Sequence, residues 1–250
     1  MYVEVFGGSA AVLLNCDHEA KEVYNDINGD LGNFYKVAVV APEELMDLLD
    51  CTLYSRQLQR ELLAEWIGGG CSFGHEEDQL TRAYKFFVLN RHVYGGWMHP
   101  DNHGWGFSRK TGTPTWRTKN FRSAIQRLIP FAQRFHLVQI EALPYQQILD
   151  KYDSPDTLFY LDPPYSATST RFYGKTKAGN DYYNVEWNDA SDVELCERVQ
   201  KLEGKAIISY YPCELLDGLY SEWRREQYVV DAFGEDATEL LLFNYEGACV

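Results

Sequence analysis

The sequence predicts an α/β fold, in which a mixed seven-stranded sheet is interrupted by a mostly helical insertion. Strand-like and helix-like segments alternate through residues 2–51 and 136–210, which is typical of parallel strands joined by helices. Two further strand-like segments near the end of the chain predict a closing hairpin. Between residues 52 and 118 the alternation stops. We therefore predict a main domain over residues 1–51 and 119–250, with an insertion over residues 52–118.

The individual elements follow from local composition, since short runs of β-branched and aromatic residues predict strands. The predicted order before the insertion is strand 2–6, helix 10–14, strand 21–24, and helices 28–39 and 42–49. Further helices are predicted over residues 55–66, 77–91 and 116–129. The remainder is predicted as strand 136–141, helix 144–151, strand 157–161, helix 189–202, strand 205–210, and strands 228–231 and 239–244.

The composition indicates a folded protein, with 45% hydrophobic and 15% aromatic residues. No apolar stretch approaches the roughly 18 residues that span a bilayer, so no membrane association is expected. The six cysteines are scattered without the close pairing of a zinc site. We therefore expect a cytoplasmic protein with free thiols and no bound metal.

The charge is distributed unevenly along the chain. The net charge is −14, yet residues 51–135 hold 12 basic and 6 acidic residues, which leaves −20 on the remainder. An acidic body with one basic segment directs a polyanion to that segment. Aromatic residues interleave with Arg109, Lys110 and Arg117, which favours nucleic-acid contact. A solvated helix face is the simpler interpretation for Arg122, Arg127 and Arg134.

The most informative motif is Asp162-Pro163-Pro164-Tyr165, which follows the apolar run of residues 157–161. Ligands of open α/β sheets bind at the carboxyl ends of the strands. The two prolines stiffen the loop and keep the residues before them extended. A carboxylate and a carbonyl can then accept hydrogen bonds from a nucleobase amine, while Tyr165 offers its ring to the flat base. An ordinary strand-to-loop turn is the alternative.

A second motif, Phe6-Gly7-Gly8-Ser9, follows the first predicted strand. Glycines allow the backbone to approach a ligand closely, and the next helix offers free N–H groups. Asp26 follows the second strand, where α/β nucleotide binders hold ribose hydroxyls. Asp26 could instead cap the next helix, and the two roles could coexist.

Four segments, taken in order, resemble the Dam-type adenine-specific DNA methyltransferases, especially the orphan enzymes common in phages and prophages and their restriction-modification relatives. They are Val3-Glu4-Val5-Phe6-Gly7-Gly8-Ser9, Tyr24-Asn25-Asp26-Ile27-Asn28-Gly29-Asp30-Leu31, Asn90-Arg91 and Asp162-Pro163-Pro164-Tyr165. The resemblance runs through nearly the whole chain. It implies a Rossmann-like fold that binds S-adenosyl-L-methionine (AdoMet), in the cytoplasm of a bacterium or a phage-infected host.

The resemblance also implies an activity, the transfer of a methyl group to the exocyclic amine of adenine in double-stranded DNA. The base would be flipped out of the duplex to reach the pocket. The implied catalytic residues are Asp162, Pro163, Pro164 and Tyr165, and the implied cofactor-binding residues are Phe6, Gly7, Gly8, Ser9, Asp26, Ile27 and Asp162. The insertion would be the target-recognition subdomain. We expect DNA contacts from Asn90, Arg91, Tyr94, Arg109, Lys110, Trp116, Arg117 and Lys119.

This chemistry suits a conjugated amine, which is a poor nucleophile. Hydrogen bonds from the amine to Asp162 and the Pro163 carbonyl would make its lone pair available for in-line attack on the sulfonium methyl group. An aspartate at position 162 favours a nucleic-acid amine over the glutamine side chain that related Asn-Pro-Pro-Tyr enzymes modify.

Two features depart from the family pattern. The family carries an upstream Gly-Gly-Lys segment over the methionine end of AdoMet, whereas this sequence starts directly on the first strand. Pro144 replaces the family's aspartate beside the cofactor adenine, with Glu141 as the nearest acid. We therefore expect weak AdoMet binding by this chain alone, and a second chain or a preceding segment that completes the cofactor site.

Other interpretations stay open. The chain could be a non-catalytic relative that binds nucleic acid or serves as a partner subunit, or it could methylate RNA or a protein amide. The absence of metal-ligand spacing favours surface or base-contact roles for His75, His92, His99 and His103. The aromatic residues Tyr182, Tyr183 and Trp187 could belong to a lid or could cover the core.

Overall fold

The chain divides into two units, one with residues 1–27 and 139–250 and the other with residues 28–138. The computed structural model describes residues 1–16, 20–74, 78–96, 98–100, 104–106, 116–165, 187–232 and 235–247. In these ranges, no helix has both the length and the apolar character that crossing a bilayer requires.

The first unit contains the sheet, in which the described residues form seven strands in the order β3-β2-β1-β4-β5-β7-β6. β1 pairs in parallel with β2 and β4, β4 pairs in parallel with β5, and β7 lies antiparallel between β5 and β6. The predicted mixed sheet is thus confirmed. The strands are β1 Tyr2–Glu4, β2 Glu22–Asn25, β3 Val138–Glu141, β4 Leu158–Leu161, β5 Lys205–Tyr210, β6 Arg224–Ala232 and β7 Glu235–Phe243.

The helices largely follow the predicted order. They are α1 Ala11–Asn15, α2 Gly29–Val40, α3 Pro42–Asp50, α4 Arg56–Gly68, α5 Gln79–His92, α6 Trp116–Gln126, α7 Leu128–Phe135, α8 Tyr145–Tyr152, α9 Asp189–Val199 and α10 Glu214–Leu219. Helix α10 was not predicted. The helical prediction over residues 116–129 is confirmed except for a break at Arg127, where two helices meet. Pro130 explains the break, since it cannot continue a helix from α6 but is tolerated in the first turn of α7.

One face of the sheet carries the core of the first unit. Strand residues such as Val3, Phe159 and Ile208 are fully buried there. They cluster with apolar side chains of α8 and α9, including Ile148 and Leu195. Full burial of each such side chain contributes about 1.5–3 kcal/mol.

In the second unit, residues 28–138, the described residues are mostly helical up to the start of β3. Phe34 of α2 stacks on Phe87 of α5 with ring centroids 5.6 Å apart, and Tyr35 lies 5.2 Å from Phe131 of α7. These rings join α2 to the inserted helices, so the unit extends beyond the 52–118 insertion predicted from the sequence at both ends. The target-recognition role of that insertion stays a prediction.

Candidate active site

The two motifs singled out in the sequence emerge from neighbouring strands. Glu4 of β1 is paired with Tyr160 of β4, and the Val5 amide donates a 3.0 Å hydrogen bond to the Tyr160 carbonyl. The register therefore places Phe6 and Asp162 side by side at the carboxyl edge of the sheet. The structure thus brings together the predicted glycine motif and the predicted Asp162 loop.

The turn after β1 depends on glycine at position 7. The Gly7 amide donates to the Asn25 carbonyl at 2.8 Å, and a Cβ atom on Gly7 would lie 2.1 Å from the Tyr24 ring. Gly8 has a φ of +47°, and a Cβ there would meet no atom within 4 Å. The backbone at Gly8 therefore borders open space that a ligand can approach.

Asp26 lies against this turn. Its Oδ2 atom accepts a 2.8 Å hydrogen bond from the Gly8 amide. Capping of α2 is instead performed by Asn28, whose Oδ1 atom accepts from the Asp30 and Leu31 amides. The capping interpretation of Asp26 is therefore wrong. The neighbouring predicted residues Ser9 and Ile27 are exposed, Ile27 by 56%.

Phe6 contacts protein rather than standing free at the strand end. Its ring centroid lies 5.5 Å from that of Tyr145 and 5.5 Å from that of Trp187, which meets it edge-on. Trp187 is buried in the core, so the core interpretation of this residue is confirmed. Tyr182 and Tyr183 lie outside the described residues.

Asp162 is exposed at the end of β4, whereas Pro163 and Pro164 are buried. The Tyr165 hydroxyl donates a 2.8 Å hydrogen bond to Asp162 Oδ1. Solvent reaches the side chain, yet crowding by protein atoms raises the pKa of Asp162 to about 6. The hydrogen bond from Tyr165 opposes this rise, and the charge of Glu239 adds to it.

The Tyr165 ring is half-buried and is packed by two other tyrosines. Its centroid lies 4.9 Å from that of Tyr210 and 5.0 Å from that of Tyr211, both in edge-on contact. The aromatic ring and the carboxylate that the sequence predicted for base binding are therefore held in contact with each other.

The Glu141 side chain is bound by residues of α8. Its Oε1 atom accepts hydrogen bonds from Lys151 Nζ at 2.7 Å and from the Tyr152 hydroxyl at 2.5 Å. These bonds to α8 hold the pKa of Glu141 below its ordinary value. The acid expected nearest to a cofactor adenine is thus already bound within the protein.

The sequence did not reveal the role of Asn25, which is 2% exposed at the end of β2. Its Nδ2 atom donates to the Val5 and Leu143 carbonyls at 2.9 and 3.0 Å, and its Oδ1 atom accepts from the Leu143 amide at 2.9 Å. Asn25 therefore joins the ends of β1 and β2 to the segment that follows β3. A polar residue at a buried strand end was the available signal.

Glu4 was also missed, although it lies inside a predicted strand. It is 1% exposed, and its Oε1 atom accepts from the Leu13 amide at 2.6 Å and the Tyr2 hydroxyl at 3.0 Å. Burial raises the pKa of Glu4 to about 7, although these two bonds oppose the rise.

The second unit carries the predicted nucleic-acid residues that the structure describes. Tyr94 and Trp116 are 55% and 48% exposed. The Arg117 guanidinium lies 5.9 Å from the Tyr94 ring centroid and 4.8 Å from that of Trp116. Lys119 is exposed on α6. Arg109 and Lys110 lie outside the described residues.

Other basic and polar residues of this unit have structural contacts. The Asn90 amide donates to the Gly96 carbonyl at 2.8 Å. The exposed Arg91 lies 5.5 Å from the Phe87 ring. Arg122 donates to the Asp50 and Thr52 carbonyls at 2.9 Å, at the C-terminal end of α3. The expectation of a merely solvated Arg122 is therefore wrong.

The surface role expected for the histidines is wrong for two of them. His92 is fully buried, with its ring 4.4 Å from Tyr54 and edge-on to Phe121, and His99 is 5% exposed. His75 and His103 lie outside the described residues. Within the ranges that the structure describes, no cluster of His, Cys, Asp or Glu could hold a metal ion.

Comparison with known proteins places these features in a family. Residues 1–233 match the family described as D12 class N6 adenine-specific DNA methyltransferase. The DNA adenine methylases of two Vibrio cholerae serotype O1 strains are each 25% identical over 206 residues, covering 82% of this chain and 70% of theirs. The family match includes both the glycine turn and residues 162–165.

Proposed function

The chain belongs to the D12 class N6 adenine-specific DNA methyltransferase family, and on this basis we propose that it methylates the exocyclic amine of adenine in double-stranded DNA. AdoMet, the cofactor of this family, is the proposed methyl donor. The target base is proposed to leave the helix, because a paired base cannot reach a pocket at the end of a strand.

One observation supports this proposal above the others, namely that Asp162 is exposed beside the glycine turn. Glu4 pairs with Tyr160, so the two loops leave adjacent strands at one edge of the sheet. Two buried prolines stiffen the Asp162 loop, and the Tyr165 hydroxyl holds the carboxylate. Fixed acceptors of this kind stabilise the charge that develops on an attacking amine.

The residues at the glycine turn fit the proposed cofactor. The Gly8 backbone borders open space, and the Asp26 carboxylate beside it can accept from ribose hydroxyls. The exposed Ile27 can cover an adenine ring. When bound, AdoMet supplies an electrophilic methyl group on its sulfonium.

The roles of the chain's own groups follow from their chemistry. Asp162, as a carboxylate, accepts one amine hydrogen, and the Pro163 carbonyl accepts the other, so the nitrogen lone pair is oriented for attack. The methylated nitrogen then releases a proton. With a pKa of about 6, Asp162 can take that proton and return it to solvent.

Transfer of a tritiated methyl group from AdoMet to unmethylated DNA tests this proposal, with nucleoside analysis of the product. We expect N6-methyladenine from the parent chain and a loss of about 10²–10³-fold in rate for Asp162→Ala. Asp156→Ala removes an exposed carboxylate before β4 and serves as the control. Parental activity in Asp162→Ala, or label recovered only in RNA or protein, would contradict the assignment.

A second candidate function is nucleic-acid binding without catalysis, as a binding protein or a partner subunit. The observation that favours it is the engagement of Glu141 by Lys151 and Tyr152, which leaves this acid committed to α8. Weak binding of AdoMet to the chain alone is expected on this view. Calorimetric titration of the chain with AdoMet tests this, and a low-micromolar dissociation constant would contradict the expected weak binding.

A further inference from the structure

A chain of hydrogen-bonded side chains lies beneath the Asp162 loop. Trp187 Nε1 donates to Asp192 Oδ1 at 2.8 Å. The Tyr210 hydroxyl lies 2.5 Å from the same oxygen and 3.3 Å from the Pro164 carbonyl oxygen, so its single hydrogen is shared between two acceptors. Tyr210 therefore joins a carboxylate of α9 to the backbone of the loop.

These hydrogen-bonded side chains also contact the Asp162 loop and the glycine motif through their aromatic rings. The Tyr210 ring meets the Tyr165 ring edge-on, with centroids 4.9 Å apart. At the other end, Trp187 meets Phe6 edge-on at 5.5 Å. The same set of side chains thus contacts the loop expected to hold the target base and the strand end expected to hold the cofactor.

Strand pairing explains why Tyr210 lies at this place. Leu161 of β4 is paired with Ile208 of β5, so two residues further on Tyr210 stands beside the prolines. Tyr210 and Asp192 are each 1% exposed, and Trp187 is 4% exposed. A carboxylate buried to this degree is tolerated only when it is hydrogen-bonded, which makes the arrangement rigid.

We propose that Tyr210, Asp192 and Trp187 are positioning residues, which fix the Asp162 loop relative to the glycine turn for methyl transfer. This inference rests on the proposed function. The three residues touch neither reactant directly and act through Pro164, Tyr165 and Phe6. A misplacement of about 1 Å between reacting groups can lower a rate about 100-fold, so rigid support beneath the loop affects the rate more than binding.

The kinetic test compares Tyr210→Phe with the parent in DNA methylation. We expect kcat to fall about tenfold or more, while the KM for AdoMet and the KM for DNA stay within about twofold. Tyr220→Phe is the matched control, because Tyr220 is 2% exposed in the same core and its hydroxyl bonds to Cys196 of α9, whereas the bond to the Pro164 carbonyl comes from Tyr210. A retained kcat in Tyr210→Phe, or an equal loss in Tyr220→Phe, would overturn the inference.

Asp192 provides a rescue experiment. Asp192→Asn keeps an acceptor oxygen for Tyr210 and Trp187, whereas Asp192→Ala removes it. We expect kcat of the asparagine variant to lie closer to the parent than that of the alanine variant. Equal losses in both variants would contradict the positioning role.

Amide hydrogen exchange separates this inference from the proposed function. If the parent transfers no methyl group, the proposed activity fails, but the support of the loop can still be measured. Peptides that contain the Asp162 and Tyr165 amides should exchange faster in Tyr210→Phe than in the parent and in Tyr220→Phe. Unchanged exchange in Tyr210→Phe would overturn the inference whatever the activity.

Discussion

At the scale of single residues, the carboxyl groups of Asp162 and Glu4, on neighbouring strands, differ in their exposure to solvent. Both have a raised pKa, but Asp162 is reached by solvent while Glu4 is sealed between β1 and α1. Crowding by protein atoms is the main cause for Asp162, and burial is the main cause for Glu4. The exposed group is suited to bind a substrate amine, and the buried group contributes to stability.

The pKa of Asp162 predicts how methylation depends on pH. Because this pKa is raised to about 6, the carboxylate is protonated below that pH and loses an acceptor site for the amine. We expect the rate to be constant above pH 7 and about tenfold lower at pH 5. Values of kcat/KM for DNA between pH 5 and pH 8 measure this, because they report the pKa of the enzyme before DNA binds. A rate that stayed flat down to pH 5 would exclude Asp162 as the ionised acceptor.

The pKa of Glu4 predicts a loss of stability with rising pH. The folded pKa of about 7 lies above the ordinary 4.5, so ionisation opposes folding. The stability that the neutral Glu4 carboxyl group contributes is fully present below about pH 4.5 and is lost as the pH rises through 7. This contribution to the free energy of unfolding amounts to about 3 kcal/mol. Glu4→Gln removes this titration and keeps an acceptor for the Leu13 amide.

Urea unfolding at pH 5 and pH 8 tests the prediction for Glu4. The free energy of unfolding should fall more between these pH values in the parent than in Glu4→Gln. An equal fall in the free energy of unfolding in both proteins would refute the prediction. Glu43→Gln is a suitable control, because Glu43 lies on the partly exposed first turn of α3.

At the scale of elements, the turn between β1 and α1 is set by steric contact with β2. The Tyr24 ring occupies the space that a side chain on Gly7 would need, and the Tyr24 hydroxyl donates to the Gly8 carbonyl at 2.7 Å. Ala10 adopts a left-handed φ of 54°, which costs about 1–2 kcal/mol for a residue with a Cβ atom. The surrounding contacts therefore hold a strained turn where the cofactor is expected.

Gly7→Ala should disturb this turn. A Cβ atom 2.1 Å from the Tyr24 ring forces the backbone or the ring to move, so affinity for S-adenosylhomocysteine should fall about tenfold or more. Calorimetric titration measures the affinity. The control is Gly32→Ala in α2, where a Cβ atom meets nothing within 4 Å. Unchanged affinity in Gly7→Ala would show that the turn does not contact the cofactor.

At the scale of the whole molecule, the charge distribution favours DNA binding by one part of an acidic chain. The net charge is −14, while residues 51–135 carry more basic than acidic residues. Exposed basic side chains release counterions from DNA when they bind phosphates. Arg117, whose guanidinium lies near two exposed aromatic rings, can also contact a base.

The salt dependence of binding distinguishes contacts with phosphates from contacts with bases. We expect the affinity for duplex DNA to fall with salt, and the slope of log K against log salt to decrease by about 1 in Lys119→Ala. Trp116→Ala should weaken binding without changing the slope. Arg198→Ala, which removes a cation paired with Glu194 on α9, should change neither quantity. An unaltered slope in Lys119→Ala would show that this side chain does not contact a phosphate.

The sequence by itself determined the order of the strands and of most helices, and the two loops that carry the candidate site. Apolar runs mark buried strands, and glycine and proline restrict the backbone locally, so the turn at Gly7 and the Asp162 loop could be predicted without long-range information. The family resemblance was carried by the same local motifs and is confirmed by the match over residues 1–233.

Only the tertiary structure decided which partners the buried polar groups take. Glu141 binds Lys151, Asn25 binds Leu143, and Tyr210 reaches Pro164 from 46 residues away. The same holds for α2, which joins the second unit through rings on α5 and α7. Such pairings depend on strand register and helix packing, which bring distant residues together, and no local pattern of residues encodes them.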